Sequence, residues 1–137
     1  YGHHPEEIRA ALSATKLIGD KSKVLAVFQP HRYSRLKNHF NEFCSCFNDA
    51  DEVVLLNVYA AGEKPIANCN NVDLENGVRN YGHKNVSSVM NDEDIYKIVQ
   101  KKIKNYQIII FLGAGDITKM ANNLKKELEI LSKQSRL

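Results

Sequence analysis

Long apolar segments are absent from this sequence: no run approaches the length that crosses a membrane, and no signal peptide opens the chain. Three widespread catalytic signatures are also missing, namely the phosphate loop G-x-x-x-x-G-K-S/T, the nucleophile elbow G-x-S-x-G and the zinc motif H-E-x-x-H. We therefore expect no membrane partner and no self-contained catalytic centre in these residues.

Cysteine is scarce and the net charge is mild. Cys44, Cys46 and Cys69 are odd in number and have no regular spacing, which favours reduced thiols and a cytoplasmic location. Cys44 and Cys46 lie two residues apart on a predicted helix, so we expect Cys44 in the core and Cys46 partly exposed. A net charge of +3 without a basic stripe argues against a nucleic-acid partner.

The remaining composition is that of a soluble protein, and 137 residues predict a single domain, residues 1–137. Apolar runs predict strands at residues 23–28, 52–57 and 107–112, and the less apolar segment 86–90 predicts a weaker strand. Segments with helical apolar spacing alternate with them. This alternation predicts an α/β fold with a doubly wound, mostly parallel sheet and helices on both faces.

Capping residues predict where several helices begin and end. Gly19 is expected to end the first helix, whose inner face would include Ile18. Ser34 is expected to cap the second helix, and Asn91 or Asp92 the helix before the last strand.

Two arginines follow the first predicted strand, in the segment Phe28-Gln29-Pro30-His31-Arg32-Tyr33-Ser34-Arg35. Loops at the carboxyl ends of strands line the ligand crevice of open α/β sheets. A guanidinium can hold a carboxylate or a phosphate with two parallel hydrogen bonds. Arg32 and Arg35 therefore suggest an anion site, although solvated surface arginines are the usual alternative.

A glycine turn, Gly113-Ala114-Gly115, lies between the last strand and the last helix. It matches the dinucleotide fingerprint poorly, because Thr118 occupies the place of the third glycine. A tight turn that packs strand against helix is the preferred interpretation. The exposed amides of the helix start could still face an anion.

His3 and His4 precede the first predicted helix, where the helix dipole favours the neutral form of histidine. Both could donate or accept a hydrogen bond, or simply cap the helix. A metal site built from His3, His4 and His31 is conceivable but disfavoured, because no carboxylate or cysteine lies nearby at a ligand spacing.

Four segments, residues 1–6, 28–35, 58–66 and 113–119, together resemble the C-terminal domain of Mur ligases of peptidoglycan synthesis. The resemblance is to those that join L-alanine to UDP-N-acetylmuramate. It implies a Rossmann-like domain of a three-domain bacterial cytoplasmic enzyme with roles in cell shape and division. ATP and Mg²⁺ would be bound mainly by a central domain outside this chain. The carboxylate of UDP-N-acetylmuramate would be activated as an acyl phosphate, and the amine of L-alanine would attack it.

The resemblance also implies roles for individual residues. Arg32 and Arg35 would hold the alanine carboxylate, and His3 would help to position the amino acid. In all, the resemblance implies that the substrates are bound by Tyr1, His3, Arg32, Arg35 and Tyr59. It implies that the nucleotide is bound by Tyr1 and His4. No catalytic or metal-binding residue is assigned within this domain.

The chain begins inside the first of the four segments, and we expect it to be one domain of a longer polypeptide. The phosphate loop and the magnesium ligands of the family lie outside it, so the isolated domain should not turn over. Two other interpretations stay open on the residues alone. One is a stand-alone Rossmann-like module that binds a nucleotide or phosphorylated metabolite, and the other is a non-catalytic interaction domain.

Overall fold

A single parallel sheet forms the centre of the protein. The computed structural model describes residues 3–19 and 21–135. Four strands pair in parallel in the order β3-β2-β1-β4, with bounds β1 Val24–Gln29, β2 Glu52–Leu55, β3 Val86–Ser88 and β4 Ile108–Gly113. The predicted α/β class and parallel sheet are confirmed.

Helices cover both faces of the sheet. Alternate side chains of β1 enter two separate apolar clusters: Phe28 packs with Ile8 and Leu74 on one face, and Val27 packs with Ile95 on the other. Strands buried on both faces need apolar side chains throughout, which is why the apolar runs predicted them. The first face carries α1 Pro5–Thr15, α2 Tyr33–Asn38, α3 Phe40–Cys44 and α4 Asn71–Asn80, and the second carries α5 Asp94–Lys102 and α6 Ile117–Ser135.

The strand order creates a crevice between β1 and β4. β1 is followed by α2 on one face, whereas β4 is followed by α6 on the opposite face. Neighbouring strands whose connections leave in opposite directions open a gap at their carboxyl ends, where ligands bind in such sheets. Within the described ranges, no helix is both long and apolar enough to span a membrane.

Two local predictions were wrong because the chain turns earlier than its apolar pattern indicates. α1 ends at Thr15, and Ile18 lies beyond it with 76% of its surface exposed. α3 ends at Cys44, so Cys46 lies outside the helix and turns inward, where its Sγ donates to the Phe43 carbonyl. Cys46 is buried, not partly exposed.

Candidate functional site

The loops after β1 and β2 are joined by a short continuation of the sheet. His31 and Tyr59 form an isolated parallel bridge beyond the strand ends. The Arg32 N–H donates to the Tyr59 carbonyl at 2.8 Å, and the Tyr59 N–H donates to the Pro30 carbonyl at 2.8 Å. The arginine loop is therefore held against the next loop by backbone hydrogen bonds.

The ring of Tyr59 also contacts the loop after β4. It stacks on His31 with ring centroids 5.5 Å apart and an interplanar angle of 8°. On Gly115, a Cβ would lie 3.5 Å from a ring carbon of Tyr59. Tyr59 thus lies where the loops after β1, β2 and β4 meet, and the residue is 36% exposed, so it can border a ligand cleft.

The glycine turn brings the end of β4 very close to β1. Gly113 has a φ of 144°, and a Cβ there would lie only 2.7 Å from the Gln29 carbonyl oxygen. Only glycine fits such a position without a backbone shift. This close approach agrees with the packing interpretation of the turn.

Both arginines lie beside His31. Arg35 donates from Nη1 to Nδ1 of His31 at 3.1 Å, and its side chain is half-buried, whereas Arg32 is exposed. Both guanidinium groups act electrostatically on the His31 ring. The structure therefore gathers Arg32, Arg35 and His31 into one cationic cluster at the carboxyl edge of β1.

His31 is the neutral member of this cluster. Burial lowers its pKa below the ordinary 6.5, and the positive charges of Arg35 and Arg32 and the electrostatic effect of His3 lower it further, against a smaller opposing effect of Glu63. Because Nδ1 accepts from Arg35, the proton of the neutral ring lies on Nε2. His31 can therefore donate a hydrogen bond to an anion without adding a third charge.

His3 and His4 face different neighbours. The His3 ring lies 6.4 Å from the His31 ring, at the edge of the cluster. His4 is the N-cap of α1, where its Nδ1 accepts from the Glu6 N–H at 3.3 Å, and its ring packs edge-on against His39 at 4.9 Å. The capping interpretation thus describes His4, while His3 lies near His31.

The substrate-binding and nucleotide-binding roles stay predictions for all of these residues, because the contacts show where the side chains lie and not what they bind. Tyr1 lies outside the described residues, so its substrate and nucleotide roles stay predictions, as does the nucleotide role of His4. Among the side chains that the structure describes, in residues 3–19 and 21–126, no group of three or more His, Cys, Asp and Glu could hold a metal ion. This part of the molecule therefore does not fit Mg²⁺ by itself.

Two acidic residues form contacts that the sequence did not predict. Asp92 was expected to cap a helix, but its Oδ1 accepts from the Asn57 N–H at 2.8 Å, which ties the end of β2 to the start of α5. Glu63 accepts two hydrogen bonds from Ser34, which was itself expected to be a cap. Sequence offered no local signal for these partners, because Ser34 and Glu63 are 29 residues apart and Asn57 and Asp92 are 35 residues apart.

The comparisons with known proteins identify the family. Residues 1–115 match the family model described as Mur ligase, glutamate ligase domain. The chain belongs to the Mur ligase family. A UDP-N-acetylmuramate--L-alanine ligase of Rhodospirillum centenum is 47% identical over 131 residues, which are 96% of this chain and 27% of that relative. The corresponding ligase of Rhodospirillum rubrum is 44% identical over 136 residues, 99% of this chain and 28% of the relative.

Solved structures agree with this assignment to the Mur ligases. A crystal structure of the UDP-N-acetylmuramate-alanine ligase of Thermotoga maritima matches with a TM-score of 0.73 and 25% identity, covering 94% of this chain and 25% of that one. A Haemophilus ducreyi domain from a putative UDP-N-acetylmuramate:tripeptide ligase shares the fold, with a TM-score of 0.63, 19% identity, and 93% and 86% coverage. The chain spans about a quarter of the length of the curated relatives it matches. The family resemblance of the four segments is confirmed.

Proposed function

We propose that the chain is the C-terminal domain of an ATP-dependent ligase that joins L-alanine to UDP-N-acetylmuramate in peptidoglycan synthesis. The named activity of the Rhodospirillum relatives, at 47% and 44% identity across almost the whole chain, supports this. In this proposal the enzyme works in the bacterial cytoplasm and contributes to cell shape and division. The domain binds the amino acid and closes over ATP held by the rest of the polypeptide.

The cationic cluster of Arg32, Arg35 and His31 is the observation that carries the proposal. An amino acid presents a carboxylate, and a guanidinium fork is the side chain best suited to hold one. The neutral His31 ring, which accepts from Arg35, adds an N–H donor to the cluster. The proximity of the His3 ring to His31, with centroids 6.4 Å apart, supports a contact of His3 with the same ligand.

The contribution of this domain to amide formation is orientation. Holding the alanine carboxylate at the edge of β1 would leave its amine free to face the activated carboxyl group of UDP-N-acetylmuramate. Such positioning replaces a bimolecular encounter with an intramolecular one and can supply several kcal/mol of rate enhancement, on the order of 7–11 kcal/mol in ideal cases. ATP and Mg²⁺ would be held mainly outside this chain, so the chain alone should not consume ATP.

The test is a kinetic series on the full-length polypeptide with Arg32→Ala and Arg35→Ala. Each change removes hydrogen bonds to a charged ligand, and we expect KM for L-alanine to rise about 10- to 100-fold, with KM for ATP nearly unchanged. Lys37→Ala is the matched control, because Lys37 is an exposed cation on the same short helix.

Alanine use that is untouched by both arginine changes would show that the carboxylate role is wrong. Binding of a nucleotide to the chain alone, insensitive to the same changes, would favour a stand-alone nucleotide-binding module. ATP turnover by the chain alone would contradict the expectation that it is an incomplete enzyme.

A further inference from the structure

The start of α2 carries both arginines, yet it is a weak element by itself. The helix has only six residues, and its N-cap, Arg32, has a φ of 72° and a ψ of 136°, which L-residues rarely adopt. In the structure as described, no side-chain bond from Arg32 caps the helix. Short helices depend on tertiary contacts, so the guanidinium positions depend on what holds this turn from outside.

Glu63, in the loop after β2, supplies that outside contact. Its Oε1 accepts from the backbone N–H of Ser34 at 3.1 Å, and its Oε2 accepts from the Ser34 hydroxyl at 2.5 Å. The first bond satisfies an N–H of the first helical turn, which has no acceptor within its own helix. These bonds lower the pKa of Glu63, so the carboxylate is ionised at neutral pH.

Arg32 lies between two attachments to the same loop. On one side its own N–H donates to the Tyr59 carbonyl, and on the other side Ser34 is bonded to Glu63. Glu63 is fixed in turn, because its N–H donates to the Ala60 carbonyl at 3.0 Å. A strained backbone persists only where its surroundings hold it, so loss of the second attachment should let Arg32 relax.

We propose that Glu63 is a positioning residue, which holds Arg32 and Arg35 in the arrangement that binds the substrate carboxylate. This inference rests on the proposed function, since it assumes that the arginines bind a carboxylate. In this proposal Glu63 does not bind the carboxylate, because its own negative charge would repel an anion; both of its oxygens accept hydrogen bonds from Ser34. It acts through the start of α2.

The experiment measures alanine kinetics of the full-length polypeptide carrying Glu63→Ala or Glu63→Gln, well below the unfolding midpoint of each variant. We expect Glu63→Ala to raise KM for L-alanine about 10-fold, as fits the loss of a charge-assisted hydrogen bond. Glu63→Gln keeps one acceptor oxygen, so the rise should be smaller. KM for ATP should stay unchanged. Ser34→Ala removes only the hydroxyl bond and serves as the milder variant if Glu63→Ala does not fold.

Glu75→Ala is the matched control. Glu75 is half-buried like Glu63, and it accepts from the Ser88 hydroxyl at 2.7 Å, away from the three loops. A purely structural carboxylate should lower the unfolding midpoint without moving KM for L-alanine. We therefore expect KM to change for Glu63→Ala and to stay constant for Glu75→Ala.

Equal effects of Glu63→Ala and Glu75→Ala on KM for L-alanine would overturn the inference. The arginine variants, measured in the same series, distinguish a failure of the proposed function from a failure of the role proposed for Glu63. If Arg32→Ala and Arg35→Ala leave KM unchanged, the proposed function fails. If they raise KM while Glu63→Ala does not, only the role of Glu63 is wrong.

Discussion

Replacing Gly113 with alanine should destabilise the fold through two separable effects. A non-glycine residue at its φ of 144° costs about 1–2 kcal/mol. The new Cβ would also lie 2.7 Å from the Gln29 carbonyl oxygen, and forcing backbone apart in a packed region costs about 1–3 kcal/mol. The expected loss in free energy of unfolding is therefore about 2–5 kcal/mol.

Gly82→Ala isolates the first of these effects. Gly82 has a φ of 104°, and nothing lies within 4 Å of an added Cβ. It should therefore lose only the conformational term of about 1–2 kcal/mol. Urea unfolding of the wild-type chain and both variants, followed by circular dichroism, gives the two losses, and their difference measures the close approach of β4 to β1.

Equal losses in the two variants would refute the reasoning. They would mean that the end of β4 can move away from Gln29 at little cost, so that packing does not require glycine at position 113. A larger loss for Gly113→Ala, with an unchanged denaturant slope, would confirm that the turn is held against β1.

Further predictions concern titration and thiol reactivity. The lowered pKa of His31 means that the unfolded chain binds its proton more readily, so His31 should make the fold less stable as pH falls below about 6.5. His31→Gln should reduce the difference in unfolding free energy between pH 5.5 and 7.5, and a His31 ring that titrates at or above 6.5 by NMR would contradict this. Burial raises the pKa of Cys44 to about 11 and that of Cys46 to about 12, so both thiols should resist a thiol reagent until urea unfolds the chain. Rapid modification of either in the native protein would refute their burial.

The fold was largely predictable, because its main signals are local. β1 is apolar at nearly every position since both of its faces are buried, and β4 shows the same pattern from Ile108 to Leu112. Errors arose at element ends. The apolar spacing of α1 extends to Ile18, yet the chain turns after Thr15 and leaves Leu17 and Ile18 exposed, which costs little because exposed apolar side chains are common on protein surfaces.

The site was predictable only in part. The position of Arg32 and Arg35 after a buried strand indicated the carboxyl edge of the sheet, and the structure gathers them there with His31. The partners of Ser34 and Asp92 could not be predicted, because both residue types are good helix caps and no local pattern distinguishes a cap from a tertiary contact.

Periodicity and loop chemistry in the sequence were enough to establish the parallel sheet, its two covered faces and the loop that carries the arginines. These depend on residues that are neighbours along the chain. The tertiary structure decided that Glu63 holds Ser34, that Tyr59 stacks on His31, and that burial together with Arg35 lowers the pKa of this ring. Such contacts exist because the strand order brings the loops after β1, β2 and β4 to one edge, where residues far apart in sequence come within hydrogen-bonding distance.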